Sequence, residues 1–273
     1  MALGVLNNIS AIYAQNSLSN TQASLSKTLQ QLSSGSRINS GADDAAGLSL
    51  ANGLQASSTA LTQSSANASE GVDMLQVADG ALSQVTTLLN RAVTLATEAS
   101  NGTLNTAQVT AANAEYTSIL GEINNINTNT EYNGIAVFGA KAATVYTSDG
   151  TLSQTNDATI GATVNASTDL GLTAAGFTTA ATAQTELGLI TTAIGTVATD
   201  RGTAGADINT LQAVSNVMST ESTNTLSAEN DVTATDYGQA TSDMSKFQIL
   251  EQTGIAALSQ AQQSQGLITK LLQ

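Results

Sequence analysis

The chain has 273 residues, with 7 basic against 21 acidic side chains and a formal net charge of −14. It holds no Cys and no His, which excludes disulfides, thiolate metal sites and the commonest general base and metal ligand. Nucleic-acid binding runs mainly on phosphate neutralisation, so this charge balance argues against it, and equally against a polybasic membrane contact.

Trp and Pro are absent and aromatics are 3%, so large rings do little of the packing. Charged residues are only 10% of the chain, and Ser, Thr, Asn and Gln carry the wet surface. Such a surface is cheap to desolvate and suits a subunit surrounded by copies of itself. The first residues lack the basic and apolar blocks of a secretory signal peptide, and no apolar run approaches a membrane span.

Residues 1 to about 34 carry Ile9, Ile12, Leu18, Leu25, Leu29 and Leu32 at helical spacing. Leu18, Leu25 and Leu32 fall one heptad apart, with Leu29 expected on the same side. Ser, Thr, Asn and Gln lie between them. The stripe is narrow, and an isolated helix of this kind is marginal in water, so it needs a partner.

A joint follows. Gly35 is a helix stop, because glycine takes the left-handed conformation without a Cβ penalty. Ser40 is the expected N-cap of the next helix, with Asp43 and Asp44 in its first turn, where carboxylates favour the helix dipole. Arg37 lies between them and is expected to pair with an aspartate. Adjacent helical carboxylates diverge by about 100°, so Asp43 and Asp44 are read as capping groups rather than a catalytic pair.

The second helix is expected from about 43 to 100. Leu54, Leu61, Ala68, Leu75, Leu82, Leu89 and Ala96 recur every seventh position, with Val72 and Val93 completing the seam. On that register Arg91 and Leu95 fall on the outer face. Asn101-Gly102 ends the run. A third helix is expected from 106 to 129, with an Asn-rich end that should fray. Asn133-Gly134 then signals a hairpin turn.

Residues 140 to about 185 change to Ala, Thr and Gly, and read as a small β or irregular insertion with strands near 141–145 and 159–164. Its Ser and Thr residues fit a plain solvated loop or a carrier of O-linked sugars. Helical spacing returns near Glu186 and continues through Ile208, Leu211, Ser215, Met218 and Ser222, and the chain closes on the apolar run from Leu267 to Leu272. Phosphate-binding glycine loops are absent. No catalytic residue, cofactor or metal is expected.

Several of these stretches carry a family resemblance. The run Leu32-Ser33-Ser34-Gly35-Ser36-Arg37-Ile38-Asn39-Ser40-Gly41-Ala42-Asp43-Asp44-Ala45-Ala46-Gly47 resembles the N-terminal signature of bacterial flagellins. Near the other end, Asp236-Tyr237-Gly238, Met244-Ser245-Lys246, Gln248-Ile249-Leu250-Glu251-Gln252-Thr253-Gly254 and Leu258-Ser259-Gln260-Ala261 resemble the C-terminal signature, in order. The chain departs from the pattern at Asn230-Asp231-Val232 and Ala234, where the family usually has Ser-Arg-Ile and an aspartate.

The resemblance implies a mainly α fold: a long antiparallel coiled coil or bundle of the N- and C-terminal segments, with a small central insertion containing a β-hairpin. It implies a terminal coiled-coil domain of residues 1–40 with 231–273, a helical rod of 41–139 with 186–230, and a surface insertion at 140–185. Leu18, Leu25, Leu32, Phe247, Leu250, Leu258 and Leu271 would serve filament assembly, and Gly35, Arg37, Asp43 and Asp44 the hinge. The implied partners are further copies of the chain, the flagellar export apparatus, an export chaperone, and cap and hook-junction proteins. The segment 90–96 also resembles the part of flagellin recognised by the vertebrate Toll-like flagellin receptor, which implies contacts at Arg91, Leu95 and Glu115. A hook–filament junction protein and a type III secreted translocator or tip protein are the alternatives.

Overall fold

The computed structural model describes residues 8–139, 145–147, 155–156, 165, 168–172 and 175–271, with backbone alone at 155–156, 265 and 267–271. Five helices occur among these residues: α1 (Ile9–Ser34), α2 (Ala45–Ser100), α3 (Thr106–Asn129), α4 (Ala180–Thr233) and α5 (Tyr237–Leu271). Two short hairpins join them: β1 (Glu131–Tyr132) with β2 (Ile135–Ala136), and β3 (Val145–Tyr146) with β4 (Thr155–Asn156). The fold is mainly α, as expected. The chain divides into two compact units, residues 1–56 with 225–273 and residues 57–224.

In the first unit α1 and α5 pair antiparallel. Asn8 caps α1 by accepting from the Ala11 N–H at 3.0 Å, and its amide donates to the Ala261 carbonyl at 2.8 Å. Toward the other end of α1, the Gln22 amide donates to Glu251 at 3.2 Å. Ala11, Ala14, Leu18, Thr21, Leu25, Thr28 and Leu32 are among the covered positions of α1, at alternating three- and four-residue steps. Ala240, Met244, Phe247, Glu251, Gly254, Leu258 and Ala261 answer them on α5. A Cβ on Gly254 would stand 3.3 Å from Leu18 Cδ1, so the missing side chain lets the helices approach closely there. Leu29 does not join this seam: it is 46% exposed, because the seam passes through Thr28 and Leu32 on either side of it.

In the second unit the heptad of α2 is the spine. Leu61, Ala68, Leu75, Leu82, Leu89 and Ala96 are all essentially buried. Three-residue steps add Val85, Ala92 and Ala99 to the same core, so the buried stripe is wider than a two-helix seam. Val109, Tyr116, Ile119, Leu120 and Ile123 of α3 join it, with Ala183, Ile190, Ala193, Val197, Ala204 and Leu211 of α4. Helices α2 and α4 run antiparallel, and hydroxyls face each other along their contact: Ser58 with Ser222 at 3.2 Å and Ser65 with Ser215 at 2.9 Å.

The loops of this unit follow local chemistry. Asn105 and Gln108 form a reciprocal capping box at the start of α3. The Asn-rich end of α3 stays helical to Asn129 rather than fraying, because Thr130 closes it through two hydrogen bonds to the Ile126 carbonyl. Asn133 (φ 50°) and Gly134 (φ 74°) are both left-handed, which is the backbone of a two-residue type I′ hairpin. In the insertion, β3 begins at Val145, where the expected first strand ended, and pairs with β4. Residues 141–144 and the expected strand at 159–164 lie outside the described residues.

Candidate self-assembly surfaces and the joint

The joint of the first unit is built from one glycine, one cation and two aspartates with separate tasks. Gly35 takes φ 71° and its N–H donates to the Gln31 carbonyl at 2.9 Å, closing α1 as expected. Helix α2 starts at Ala45, later than the Ser40 cap would require, and the cap is Asp44, whose Oδ1 accepts from the Gly47 N–H at 2.8 Å. Ser40 instead belongs to the turn before the helix. A Cβ on Gly47 would fall 2.7 Å from Ile38 Cδ1, so the cap also needs a glycine there.

Asp43 is the hub of that turn. Its Oδ2 accepts from the Asn39 N–H at 3.2 Å, the Ser40 N–H at 3.0 Å and the Ser40 hydroxyl at 3.1 Å. Its Oδ1 meets Lys27 Nζ at 2.8 Å. The lysine, then the Ser40 hydroxyl and the Asn39 amide, hold its carboxyl well down from the usual 3.8, to about 2. The expected pairing of Arg37 with an aspartate is therefore corrected: Lys27 takes that place. Arg37 turns to the end of α4, where its Nη2 donates to the Val232 carbonyl at 2.8 Å and its N–H to the Thr233 carbonyl at 2.7 Å. The last carbonyls of a helix are unpaired and carry its negative dipole end, so a guanidinium is well placed there.

Apolar side chains outside the α1–α5 seam are left uncovered. Ile9, Ile12, Tyr13 and Leu29 of α1 are exposed, as are Ile249, Leu250 and Ile255 of α5. Leu18, Leu25, Leu32, Phe247 and Leu258 are half-buried in the seam itself. So the seven residues read as assembly positions divide: five hold the pair, Leu250 faces outward, and the side chain of Leu271 lies outside the described residues. Ile9 and Ile12, read with the α1 stripe, lie outside the seam, and the exposure of Tyr13, Ile249 and Ile255 escaped sequence reasoning.

In the second unit Arg91 of α2 and Glu115 of α3 form a bidentate pair, Nε to Oε1 at 2.7 Å and Nη2 to Oε2 at 3.1 Å. Their mutual hydrogen bond favours both ionised forms, raising the guanidinium and lowering the carboxyl. Both remain about half exposed. Leu95 does not accompany them on the outer face. It is 3% exposed in the core cluster, because that cluster takes in α3 as well as α4 and so covers a position a two-helix seam would leave out.

A second cluster was not foreseen. Helix α4 begins at Ala180, ahead of the expected Glu186, with Thr179 as its cap: the Thr179 hydroxyl accepts from the Thr182 N–H at 3.3 Å. Phe177, just before it, is fully buried against Tyr116, with ring centroids 5.3 Å apart. Asn113 accepts from the Phe177 N–H at 2.8 Å. The Tyr116 hydroxyl donates to the buried Glu186 carboxylate at 2.5 Å. Burial, then that contact, push the Tyr116 phenol well above its ordinary value. The only advance sign was a lone Phe in an Ala/Thr-rich stretch.

Among the described residues no group of His, Cys, Asp or Glu could hold a metal ion, and no helix is long and apolar enough to cross a membrane. What the geometry offers is surface: a paired helix face and a packed rod.

Comparison with known proteins agrees with that. The model for the bacterial flagellin N-terminal helical region matches residues 5–144, and that for the C-terminal helical region matches residues 187–272. Flagellin of Listeria monocytogenes serovar 1/2a is 31% identical over 284 residues, covering 97% of this chain and 98% of the relative. Flagellin 1 of Proteus mirabilis is 36% identical over 151 residues, which is 55% of this chain but only 41% of that relative. Against a flagellin of Serratia marcescens the match likewise spans 40% of the relative's length. The crystal structure of Bacillus cereus flagellin is 27% identical with a TM-score of 0.48, covering 56% of this chain and 88% of that one. Both terminal family models and a relative matched almost end to end lead to one conclusion: the chain belongs to the bacterial flagellin family.

Proposed function

We propose that the chain is a structural subunit of an extracellular flagellar filament, and that it acts by self-assembly rather than catalysis. One observation carries this reading: α1 and α5 pair through a narrow seam and leave Ile9, Ile12, Ile249 and Ile255 exposed beside it. A monomer gains nothing from an apolar face in water, whereas copies packed together bury it. Family membership supports the same reading.

Residues 1–40 with 231–273 then act as the filament-core coiled coil, residues 41–139 with 186–230 as the rod, and residues 140–185 as a surface insertion. Leu18, Leu25, Leu32, Phe247 and Leu258 hold the terminal pair, while Leu250 and, at the far end, Leu271 serve contacts between copies. Gly35, Arg37, Asp43 and Asp44 form the hinge. Folding of the ends is linked to polymerisation, so a loose terminal pair suits export of the unfolded chain through the flagellar apparatus, with its chaperone, cap and hook-junction partners. Recognition by the Toll-like flagellin receptor rests on the Arg91–Glu115 pair; with Leu95 buried, Leu95 supports that patch from beneath.

The test is elongation of flagellar seeds by purified monomer, followed by electron microscopy and amide exchange. Filaments should grow, and residues 9–34 and 237–264 should exchange rapidly in the monomer and slowly in the filament. Leu258→Asp should stop growth while residues 57–224 stay folded, because it places a charge in a dry seam. Equal protection of the termini in both states, or no elongation by the wild type, refutes the reading. A junction protein or a secreted translocator would not elongate seeds.

A further inference from the structure

The chain contains three Asn-Gly pairs, Asn52-Gly53, Asn101-Gly102 and Asn133-Gly134, and all six residues are exposed. Such a pair rearranges without an enzyme, because glycine has no Cβ to hinder approach to its own backbone nitrogen. That nitrogen, on losing its proton, attacks the side-chain carbonyl carbon of the asparagine. A C–N bond forms, ammonia leaves, and a five-membered succinimide remains. One water then opens the ring to an aspartate or an isoaspartate. The attack requires the asparagine backbone to rotate about ψ until the next nitrogen meets its side chain. Exposure is common to all three pairs, so the freedom of the backbone separates them.

Asn52-Gly53 lies inside α2, where helical hydrogen bonds on both sides fix that rotation. Asn133-Gly134 is held in its two-residue turn, left-handed at both positions, by the pairing of Tyr132 with Ile135. Ring closure there has to break the hairpin. Asn101-Gly102 sits in the connection between the end of α2 at Ser100 and the start of α3 at Thr106. The Asn101 N–H donates to the Glu98 carbonyl at 3.3 Å. Among the described residues, neither the Asn101 side chain nor the Gly102 N–H makes a hydrogen bond. A Cβ built on Gly102 would meet nothing within 4 Å, so no neighbour restrains the rotation.

We propose that Asn101 is a site of spontaneous deamidation in the folded protein, and that the fold protects Asn52 and Asn133 from the same reaction. The product adds a carboxylate at the negative end of α2, one turn after Glu98, where it opposes the helix dipole. An isoaspartate also inserts a methylene into the backbone of the connection. The modification is independent of the filament reading.

The experiment incubates folded monomer in mildly alkaline buffer and follows each pair by peptide mass spectrometry. The Asn101 peptide should gain about 1 Da at least about ten times faster than the Asn52 and Asn133 peptides, and isoaspartate methyltransferase should label it. In urea the three pairs should react at similar rates, because unfolding removes the protection. Asn101→Gln should remove most of the isoaspartate formed by the folded chain, since the six-membered ring closes far more slowly. Equal rates at the three pairs in the folded chain overturn the proposal, as does faster reaction at Asn52 or Asn133. An Asn101 that stays intact in the folded chain while reacting in urea overturns it too, and so does a ranking in urea that matches the folded one.

Discussion

The buried pair of Tyr116 and Glu186 gives the sharpest test of the packing described for the second unit. Tyr116 is fully buried and Glu186 is 3% exposed, so water does not substitute for a lost donor. Tyr116→Phe keeps the ring against Phe177 and deletes only the hydroxyl. A hydrogen bond to a charged group contributes about 1.5–3 kcal/mol, and the ring packing is retained, so the variant should lose about 2 kcal/mol. Urea unfolding followed by circular dichroism reads this directly, as a lower midpoint at unchanged slope. Replacing both partners by apolar groups also removes the buried carboxylate that accepts from the hydroxyl. Tyr116→Phe/Glu186→Leu should therefore be more stable than the sum of its single variants implies, by about 1 kcal/mol or more. The same pair sets an alkaline limit. The folded phenol lies above its ordinary value, so its contribution is intact below about pH 10 and fades as pH rises beyond that, when the unfolded chain ionises first. Tyr116→Phe should flatten that alkaline slope. A loss below about 0.5 kcal/mol with strict additivity in the double variant would refute the argument.

Two further outcomes follow from the joint and from α2. Asp43 is held down to about 2, chiefly by Lys27, so its contribution is present above about pH 4 and disappears as pH falls through 2. Asp43→Asn should lose the acid-dependent part of the protection of amides 39–48, measured by exchange at pH 5 and at pH 2.5; an unchanged profile counts against the hub. Leu95→Ala should cost about 2–5 kcal/mol by opening a core cavity, whereas Arg91→Ala, at a solvent-screened exposed pair, should cost far less. Urea unfolding that ranks them the other way would contradict the burial of Leu95.

Much of the architecture was legible because it is written in local chemistry. Gly35 marks its own helix end, Asn133-Gly134 its own turn, and the heptad from Leu61 to Ala96 its own seam. What escaped depends on a third element or a distant partner. Ser40 and Asp44 are both credible caps in isolation. The choice falls to Asp44 because Asp43 is drawn toward Lys27 and the 39–40 amides, which delays the helix. Arg37 was read against the nearest carboxylates, yet the stronger claim came from the carbonyls of Val232 and Thr233, 195 or more residues away in sequence. Leu95 is off the two-helix register and becomes core only because the cluster includes α3. The Phe177–Tyr116–Glu186 cluster joins three segments, and periodicity along any one of them is silent about the other two.

The magnitudes also bear on the proposal that the terminal pair serves an assembly. Fully burying an Ile, Leu or Tyr side chain contributes about 1.5–3 kcal/mol, and the seven exposed apolar residues beside the α1–α5 seam are already roughly half covered. Covering the remainder yields about 5–10 kcal/mol for one subunit. That is similar to the cost of fixing two molecules together, about 4–15 kcal/mol, so a single contact between two copies gains little. A subunit meeting several neighbours at once incurs that cost only once and buries the face from more than one side. Phe247 is the single aromatic in the seam among the described residues, so each contact stays weak, and the near absence of charge keeps it cheap to dry. On the filament reading proposed above, reversible pairing in the monomer and firm pairing in the polymer would come from one set of residues, Leu18, Leu25, Phe247 and Leu258 inside and Ile9, Ile12, Ile249 and Ile255 outside.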